Sequence, residues 1–183
     1  MNTIASVDEV FAVLASGGGE AYFGEPVTVL EHCLQAAWFI QRKGGEGTLV
    51  AAGLLHDLGH LLHHEGEDVA ARGLDTRHEE LGTVALAEHL PAPVLDPIHL
   101  HVAAKRYLCF ADPGYLAQLS PASVQSLALQ GGPMTATEAK AFLALPHAKE
   151  AVTLRHADDA AKVQGLQVPT LESHRDLIES LWH

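Results

Sequence analysis

Residues 54–62 read LLHDLGHLL, an otherwise apolar run that contains His56, Asp57 and His60. Charged side chains are rarely buried unless they are paired or bind a metal ion. The run therefore has two interpretations: a core helix whose Asp57 is satisfied by a neighbouring side chain, or a helix that carries metal ligands. The distribution of the other ionisable residues along the chain decides between them.

The overall composition is that of a globular protein with an acidic surface. Of the 183 residues, 48% are hydrophobic and 19% are charged, and we expect one domain spanning residues 1–183 with a sizeable core. The net charge of −12 with neutral histidines argues against a DNA-binding face, so no nucleic-acid partner is predicted. A small anionic substrate held by a few local cations remains compatible with this charge.

The chain carries no sign of a membrane or secretory destination. No segment approaches 18 uninterrupted apolar residues, and residues 1–6 lack the basic start and apolar core of a signal peptide. Cys33 and Cys109 form no CxxC motif. These features predict no membrane partner and a cytoplasmic location, where cysteines stay reduced.

Helix signals recur along the chain, and no alternating strand pattern is present. Six residue pairs have the spacing of helix N-termini: Ser6 with Glu9, Thr28 with Glu31, Thr76 with Glu79, Asp96 with Pro97, Ser120 with Pro121, and Thr135 with Glu138. Apolar residues at helical spacing follow them. A further helix is expected from about Thr48 to Leu58. The sequence therefore predicts a single all-α domain built as a helical bundle.

Four histidines and two aspartates fall on separate predicted helices: His32, His56, Asp57, His78, His101 and Asp158. Inward side chains on facing helices of a bundle often build metal sites, and histidine is the commonest ligand. Adjacent His56 and Asp57 cannot face one point on a regular helix. A carboxylate at a helix end that bridges two metals removes this difficulty, with His56 binding one of them.

Several cationic residues share helix faces with these candidate ligands. Lys105 follows His101 by four residues, His60 follows His56 by four, and Arg155 precedes Asp158 by three. Asp159 could exchange roles with its neighbour Asp158 as the ligand; the spacing from Arg155 favours Asp158, as does the register of the family resemblance described below. The simplest interpretation of Lys105 is a solvent-exposed lysine at a helix end. The simplest interpretation of Tyr22 and Glu25 is an ordinary loop that packs on Pro26.

This set of residues resembles the HD-domain superfamily. The smallest set of residues that defines the superfamily is a first histidine, a His-Asp pair and a distant aspartate. In this chain they correspond to His32, His56, Asp57 and Asp158. The additional His78 and His101 resemble the members that bind a second metal. The resemblance implies a helical HD-domain bundle with a dinuclear metal site in its core.

The resemblance extends to a subfamily. Residues 22–25 (YFGE), His60, Lys105 and residues 155–159 (RHADD) are similar to the bacterial mixed-valent diiron oxygenases that cleave the carbon–phosphorus bond of hydroxylated aminophosphonates. Myo-inositol oxygenase is a more distant relative. The similarity runs from about Tyr22 to Lys162, which is most of the chain.

For the metals, the subfamily resemblance implies two iron ions in the Fe(II)/Fe(III) state with O2 as cosubstrate. One iron would be held by His32, His56, Asp57 and Asp158. The other would take Asp57 as a bridge together with His78 and His101. Mixed histidine and carboxylate ligation suits iron and oxygen chemistry.

For the substrate, the resemblance implies a 1-hydroxy-2-aminoethylphosphonate whose amine is primary or N-methylated. The phosphonate would be held by four residues: His60, Lys105, Arg155 and Ser123, with Ser126 as the alternative serine. Tyr22 would occupy an iron position in the resting enzyme, and Glu25 would meet the cationic nitrogen. Asp57 and Tyr22 are the predicted catalytic residues.

Two other functions are compatible with the same motifs. A metal-dependent HD phosphohydrolase would use a metal-bound hydroxide to attack a nucleotide or another phosphate ester. A degenerate HD module would bind a signalling nucleotide without catalysis; this is disfavoured because no ligand position of the family pattern is lost. The sequence gives no indication of oligomeric state.

Overall fold

A computed structural model describes residues 3–19, 21–22, 24–62 and 76–183. These residues form α-helices and short 3-10 segments, with no β-strand among them and a single isolated β-bridge between Ala21 and Thr28. The predicted all-α fold is therefore confirmed. Within the same residues no helix is both long and apolar enough to cross a membrane.

The α-helices of the described residues are α1 Val7–Ser16, α2 Val29–Arg42, α3 Gly47–Leu55, α4 His78–Leu86, α5 Ala92–Ala111, α6 Pro121–Leu129, α7 Ala136–Leu143, α8 Ala148–Ala160 and α9 Arg175–Leu181. The 3-10 segments are Gly17–Gly19, Leu58–Leu61, Leu116–Gln118 and Leu171–His174. Helix α2 packs against α3 and α8, while α5 packs against α3, α4 and α8. These contacts place the ends of four helices around one buried region.

The N-caps of several helices follow the sequence prediction. Thr28 and Thr135 each form a complete capping box with the glutamate three residues later. The Ser6 side chain accepts a hydrogen bond from the backbone of Glu9. These caps satisfy backbone N–H groups that have no partner within the helix, which fixes where each helix begins.

Two predicted helix starts are wrong. Thr76 was predicted to be the N-cap of α4, but the helix begins at His78 and its N-cap is Arg77. Arg77 has a φ of 50°, in the left-handed region, so it does not belong to the helix. Helix α5 begins at Ala92 after Pro91, and Pro97 lies inside it. A proline at that position removes one backbone donor. The fully buried Val94 and Ile98 continue the apolar face through it, so packing outweighs the lost bond.

Helix α3 is shorter than predicted, and its end shapes the buried region. The helix stops at Leu55, His56 follows as its C-cap, and Asp57 leaves the helical conformation with φ −103° and ψ 10°. The next turn, Leu58–Leu61, is a 3-10 helix. Because the backbone changes direction between His56 and Asp57, their side chains can reach the same interior region.

The turn after Asp57 lies directly against the start of α4. A Cβ atom on Gly59 would lie 1.9 Å from the carbonyl oxygen of His78 and 2.9 Å from the backbone nitrogen of Gly82. Only a glycine permits this approach. The contact brings the segment that carries Asp57 close to His78.

We predict that Gly59→Ala lowers the free energy of unfolding by about 1–3 kcal/mol, because the added methyl group forces two backbones apart. Urea unfolding followed by circular dichroism measures this. The control is Gly19→Ala, where a Cβ would meet nothing within 4 Å. Equal unfolding midpoints for the two variants would contradict the prediction.

Candidate metal centre

Six predicted ligand side chains come from five places in the fold and converge on one interior region. Their positions are α2 for His32, the end of α3 for His56 and Asp57, the start of α4 for His78, the middle of α5 for His101, and the last turns of α8 for Asp158. All of them are buried. A cluster of ionisable groups this deep requires compensating partners.

The Asp57 carboxylate lies between two pairs of histidines. Its Oδ2 is 3.4 Å from His32 Nε2 and 3.5 Å from His56 Nε2. Its Oδ1 is 3.4 Å from His78 Nε2 and 3.8 Å from His101 Nε2. The structure thus contains two groups of three potential ligands that share Asp57, the arrangement that a bridging carboxylate needs.

Asp158 extends the first of these groups. Its Oδ1 is 3.4 Å from His32 Nε2, while its Oδ2 accepts a hydrogen bond of 2.6 Å from Arg155. The neighbouring Asp159 instead accepts hydrogen bonds from Arg155 and from the Tyr115 hydroxyl. Asp158 rather than Asp159 therefore turns an oxygen towards the histidines.

The outer nitrogens of three histidines are fixed by backbone carbonyls. The contacts are His32 Nδ1 to Ala161 O at 2.8 Å, His56 Nδ1 to Gly53 O at 2.9 Å, and His101 Nδ1 to Ile98 O at 2.7 Å. A carbonyl oxygen can only accept, so each Nδ1 carries a proton. In the neutral imidazole, Nε2 then presents its lone pair to the interior.

The donor atoms fit a cation between them. The Nε2 atoms of His32 and His56 lie 3.1 Å apart. With both Nδ1 atoms protonated, two neutral rings would direct lone pairs at each other across this distance. A metal ion bound by both nitrogens removes this repulsion and provides the compensation that the buried carboxylates need.

The protonation states also suit metal binding. Burial lowers the pKa of His101 to about 3 and the pKa of His78 well below its usual value. Burial would raise the pKa of Asp57, but positive charge at His56 and then at His60 outweighs it and holds that pKa well below its usual range. A metal ion bound at these imidazoles would supply that positive charge while the rings stay neutral. Neutral imidazoles and an ionised carboxylate are the forms that ligate metals.

Next to the candidate ligands is a second group of polar residues, the Lys105–Arg155 cluster, formed by Lys105, Arg155, Ser123 and Ser126. Lys105 Nζ donates to Ser126 Oγ at 2.8 Å, and Arg155 Nη2 donates to Ser123 Oγ at 3.4 Å. Both cations are buried, with 3% and 4% exposure. The structure therefore brings both alternative serines, not one of them, to this cluster.

The charge of Lys105 is sensitive to this environment. Burial, followed by repulsion from Arg155, lowers the pKa of the Lys105 ammonium to about 7. Arg155 keeps its charge because Asp158 and Asp159 pair with it, which raises its pKa despite burial. Lys105 is thus the cation of the cluster that an incoming anion would stabilise most.

Tyr22, Glu25 and His60 also lie at this site. The Tyr22 hydroxyl donates to Asp57 Oδ2 at 2.7 Å, and its ring stacks on His32 with centroids 4.0 Å apart. His60 Nε2 is 3.8 Å from Asp57 Oδ1, and its ring stacks on His78. Glu25 lies 3.2 Å from the ammonium of Lys162.

Two residues of this region were missed by the sequence analysis. Lys162 contacts Glu25 and Ser123, and its spacing of four residues from Asp158 was a usable signal. Tyr115 accepts a hydrogen bond from Arg155 Nε at 3.1 Å. It precedes the 3-10 segment Leu116–Gln118, and no helical spacing relates it to the site.

We predict that Asp57→Ala removes all tightly bound metal from the protein, because Asp57 belongs to both groups of potential ligands. Metal content per chain, measured by plasma mass spectrometry, tests this. The control, Asp176→Ala, changes an exposed aspartate of α9 and should leave the content unchanged. One metal ion retained by Asp57→Ala would show that the carboxylate does not bridge.

Comparison with known proteins identifies the family. The chain matches no protein-family model. It is 43% identical over 165 residues to a hydroxymethylphosphonate dioxygenase of Gimesia maris, covering 88% of this chain and 81% of the relative. It is 39% identical over 163 residues to a [1-hydroxy-2-(trimethylamino)ethyl]phosphonate dioxygenase (glycine-betaine-forming) of Leisingera caerulea, covering 89% and 83%.

An uncharacterised protein of Acanthamoeba polyphaga mimivirus is 31% identical over 180 residues, covering 97% of this chain and 80% of the relative. The sequence identity to the two dioxygenases is higher than chance similarity produces over a whole domain. Membership of an HD-domain family also agrees with the buried cluster of histidines and Asp57 in the structure. The chain belongs to the HD-domain family of phosphonate dioxygenases.

Proposed function

We propose that this protein is a dioxygenase that cleaves the carbon–phosphorus bond of a 1-hydroxy-2-aminoethylphosphonate whose amine is primary or N-methylated. The products are phosphate and glycine or an N-methylated glycine such as glycine betaine. The observation that carries the proposal is the position of Asp57 between two histidine pairs, beside the Lys105–Arg155 cluster. The relatives' names support it, since both act on hydroxylated phosphonates.

The reaction balances with O2 as the oxidant. The atoms of the hydroxyphosphonate and of O2 together equal those of the carboxylic acid and of phosphoric acid. The hydroxyl-bearing carbon becomes a carboxyl group, phosphorus gains an oxygen in place of its bond to carbon, and O2 accepts all the electrons that this unit loses. No external reductant is required.

In the proposed enzyme, His32, His56, Asp57 and Asp158 hold one iron, and Asp57, His78 and His101 hold the other. Bound there as a mixed-valent Fe(II)/Fe(III) pair, iron supplies the redox chemistry with O2. The donor set supports this choice because mixed imidazole and carboxylate ligation suits iron. The surrounding protein provides positioning and electrostatics.

The chain's own residues bind and orient the substrate. The phosphonate lies at the Lys105–Arg155 cluster, where the ammonium, the guanidinium and the two serine hydroxyls donate to its oxygens, with His60 on the side of Asp57 Oδ1. Arg155 is already engaged by two aspartates, so Lys105 supplies the uncompensated charge. Glu25 attracts the cationic nitrogen at the opposite end.

Tyr22 controls access to the centre in this proposal. Its hydroxyl donates to Asp57 Oδ2 on the side of His32 and His56. Substrate must displace this hydroxyl before it can approach that side of the carboxylate. The burial of Tyr22 raises the pKa of its phenol well above the usual value, which keeps it a hydrogen-bond donor in the resting state.

The proposal is tested by phosphate release from 1-hydroxy-2-aminoethylphosphonate and its N-methylated forms, with and without oxygen. We expect phosphate to appear only in air, in the same amount as the O2 consumed, together with the amino acid. Release of phosphate without oxygen, or from nucleotides in preference to phosphonates, would identify the protein as an HD phosphohydrolase instead.

We predict that Lys105→Ala weakens binding of the phosphonate by roughly 30- to 150-fold, equivalent to about 2–3 kcal/mol, because a buried charge-assisted contact is lost. Metal content should not change. Titration calorimetry with methylphosphonate measures the affinity, and Lys149→Ala, an exposed lysine of α8, is the matched control. Unchanged affinity would place Lys105 outside the binding site.

The pH dependence provides a second readout of the same contact. With a pKa of about 7, Lys105 loses its proton as the pH rises through neutrality, and a neutral amine no longer attracts an anion. Affinity for methanesulfonate, whose own charge is constant in this range, should therefore fall above pH 7. In Lys105→Arg the affinity should stay level, because arginine remains protonated.

A further inference from the structure

Lys162 lies at a rigid position just beyond the end of α8. The carbonyl of the preceding Ala161 contacts His32 Nδ1 at 2.8 Å. On the other side, Val163 donates to Gln35 Oε1 at 3.0 Å and accepts from Gln35 Nε2 at 2.8 Å. Helix α2 therefore holds the backbone on both sides of Lys162. A ligand would move the side chain of Lys162 rather than its backbone.

The ammonium of Lys162 lies between the two ends of the proposed substrate site. It donates to Ser120 Oγ at 3.1 Å and to Ser123 Oγ at 3.3 Å, at the edge of the Lys105–Arg155 cluster. It is also 3.2 Å from Glu25 Oε1, and both side chains are largely buried, at 13% and 14% exposure. Lys162 thus contacts Glu25, the residue assigned to the substrate's cationic nitrogen.

Lys162 balances the charge of Glu25 but leaves one of its carboxylate oxygens without a hydrogen bond within the described residues. Its Oε1 is buried and receives no hydrogen bond from any residue that the structure describes, although Lys162 is close enough for charge attraction. Attraction between opposite charges is stronger at such largely buried positions than in water. An incoming cation would find an acceptor oxygen available and a lysine already beside it.

We propose that Lys162 is a specificity-determining residue that competes with the substrate's cationic nitrogen for Glu25. This inference rests on the proposed function and adds the residue that sets the preference between substrates with and without a cationic nitrogen. A substrate with an ammonium group must separate Lys162 from Glu25. A phosphonate without a cationic group, such as hydroxymethylphosphonate, leaves the pair intact. The separated ammonium keeps its hydrogen bonds to Ser120 and Ser123.

The test compares two substrates in Lys162→Met, which removes the charge and keeps most of the length of the side chain. We measure kcat/KM in air for [1-hydroxy-2-(trimethylamino)ethyl]phosphonate and for hydroxymethylphosphonate. The ratio of the first value to the second should rise about tenfold when the competitor is removed. It should stay at the wild-type value in Lys162→Arg, which retains the charge, and in the exposed control Lys149→Met.

A ratio that is unchanged or lower in Lys162→Met would overturn the inference. Equal losses of kcat/KM with both substrates would show that Lys162 only binds the phosphonate.

If the wild type releases no phosphate from either compound, the proposed function fails, and the inference about Lys162 is then tested by ligand binding alone. Calorimetry should then show that Lys162→Met raises the affinity for 2-aminoethylphosphonate relative to methylphosphonate. An unchanged relative affinity, or no binding of either compound by the wild type, would overturn it.

Discussion

The Asp57 carboxylate presents one oxygen to each of two histidine pairs, and the surrounding structure holds this arrangement in place. Helix α3 must end at Leu55 so that Asp57 can leave the helical path, and Gly59 must lack a side chain so that the next turn can lie against His78. Backbone carbonyls then fix the outer histidine nitrogens, so the inner nitrogens face each other as acceptors. Without a cation between them, this arrangement of lone pairs and buried carboxylate would be costly.

Around this centre, an acidic protein concentrates positive charge where an anion would bind. Arg155 is held by Asp158 and Asp159, and this pairing links the proposed metal ligand to the proposed phosphonate ligand through one guanidinium. Lys105 has no carboxylate among its hydrogen-bond partners in the described residues and bonds to Ser126 instead. Burial, followed by repulsion from Arg155, lowers the pKa of Lys105, and among the described residues no carboxylate bonded to its ammonium offsets these two effects. A bound phosphonate would supply the missing counter-charge, so substrate binding and the protonation of Lys105 reinforce each other.

The sequence predicts features of the fold that depend on local chemistry. The capping boxes at Thr28 and Thr135 are complete because all their partners lie within four residues. Helix α5 was mispredicted because Asp96-Pro97 has the chemistry of a helix start, whereas burial of Val94 and Ile98 against other helices extends the helix through the proline. The candidate ligands were indicated by their residue types on separate predicted helices, but the resemblance to a family was needed to assign them to two metals, since their convergence depends on the packing of α2, α3, α4, α5 and α8. Tyr115 was missed because its partners Arg155 and Asp159 are distant in sequence. Lys162 was missed although its spacing from Asp158 is helical, because its contacts with Glu25 and Ser123 depend on tertiary packing.

The same set of histidines and aspartates is compatible with an HD oxygenase and with an HD phosphohydrolase, so the choice of substrate must depend on residues outside this set. In the proposed function those residues lie along a line from Lys105, at the phosphonate end, to Glu25. Lys162 connects the two ends, because it contacts both Ser123 and Glu25. The residue before it, Ala161, orients His32. A single turn of backbone at the end of α8 therefore carries Asp158, orients another candidate ligand and positions the proposed selectivity residue. A substitution in that turn would change metal binding and substrate preference together, whereas a change confined to the side chain of Lys162 would alter preference alone.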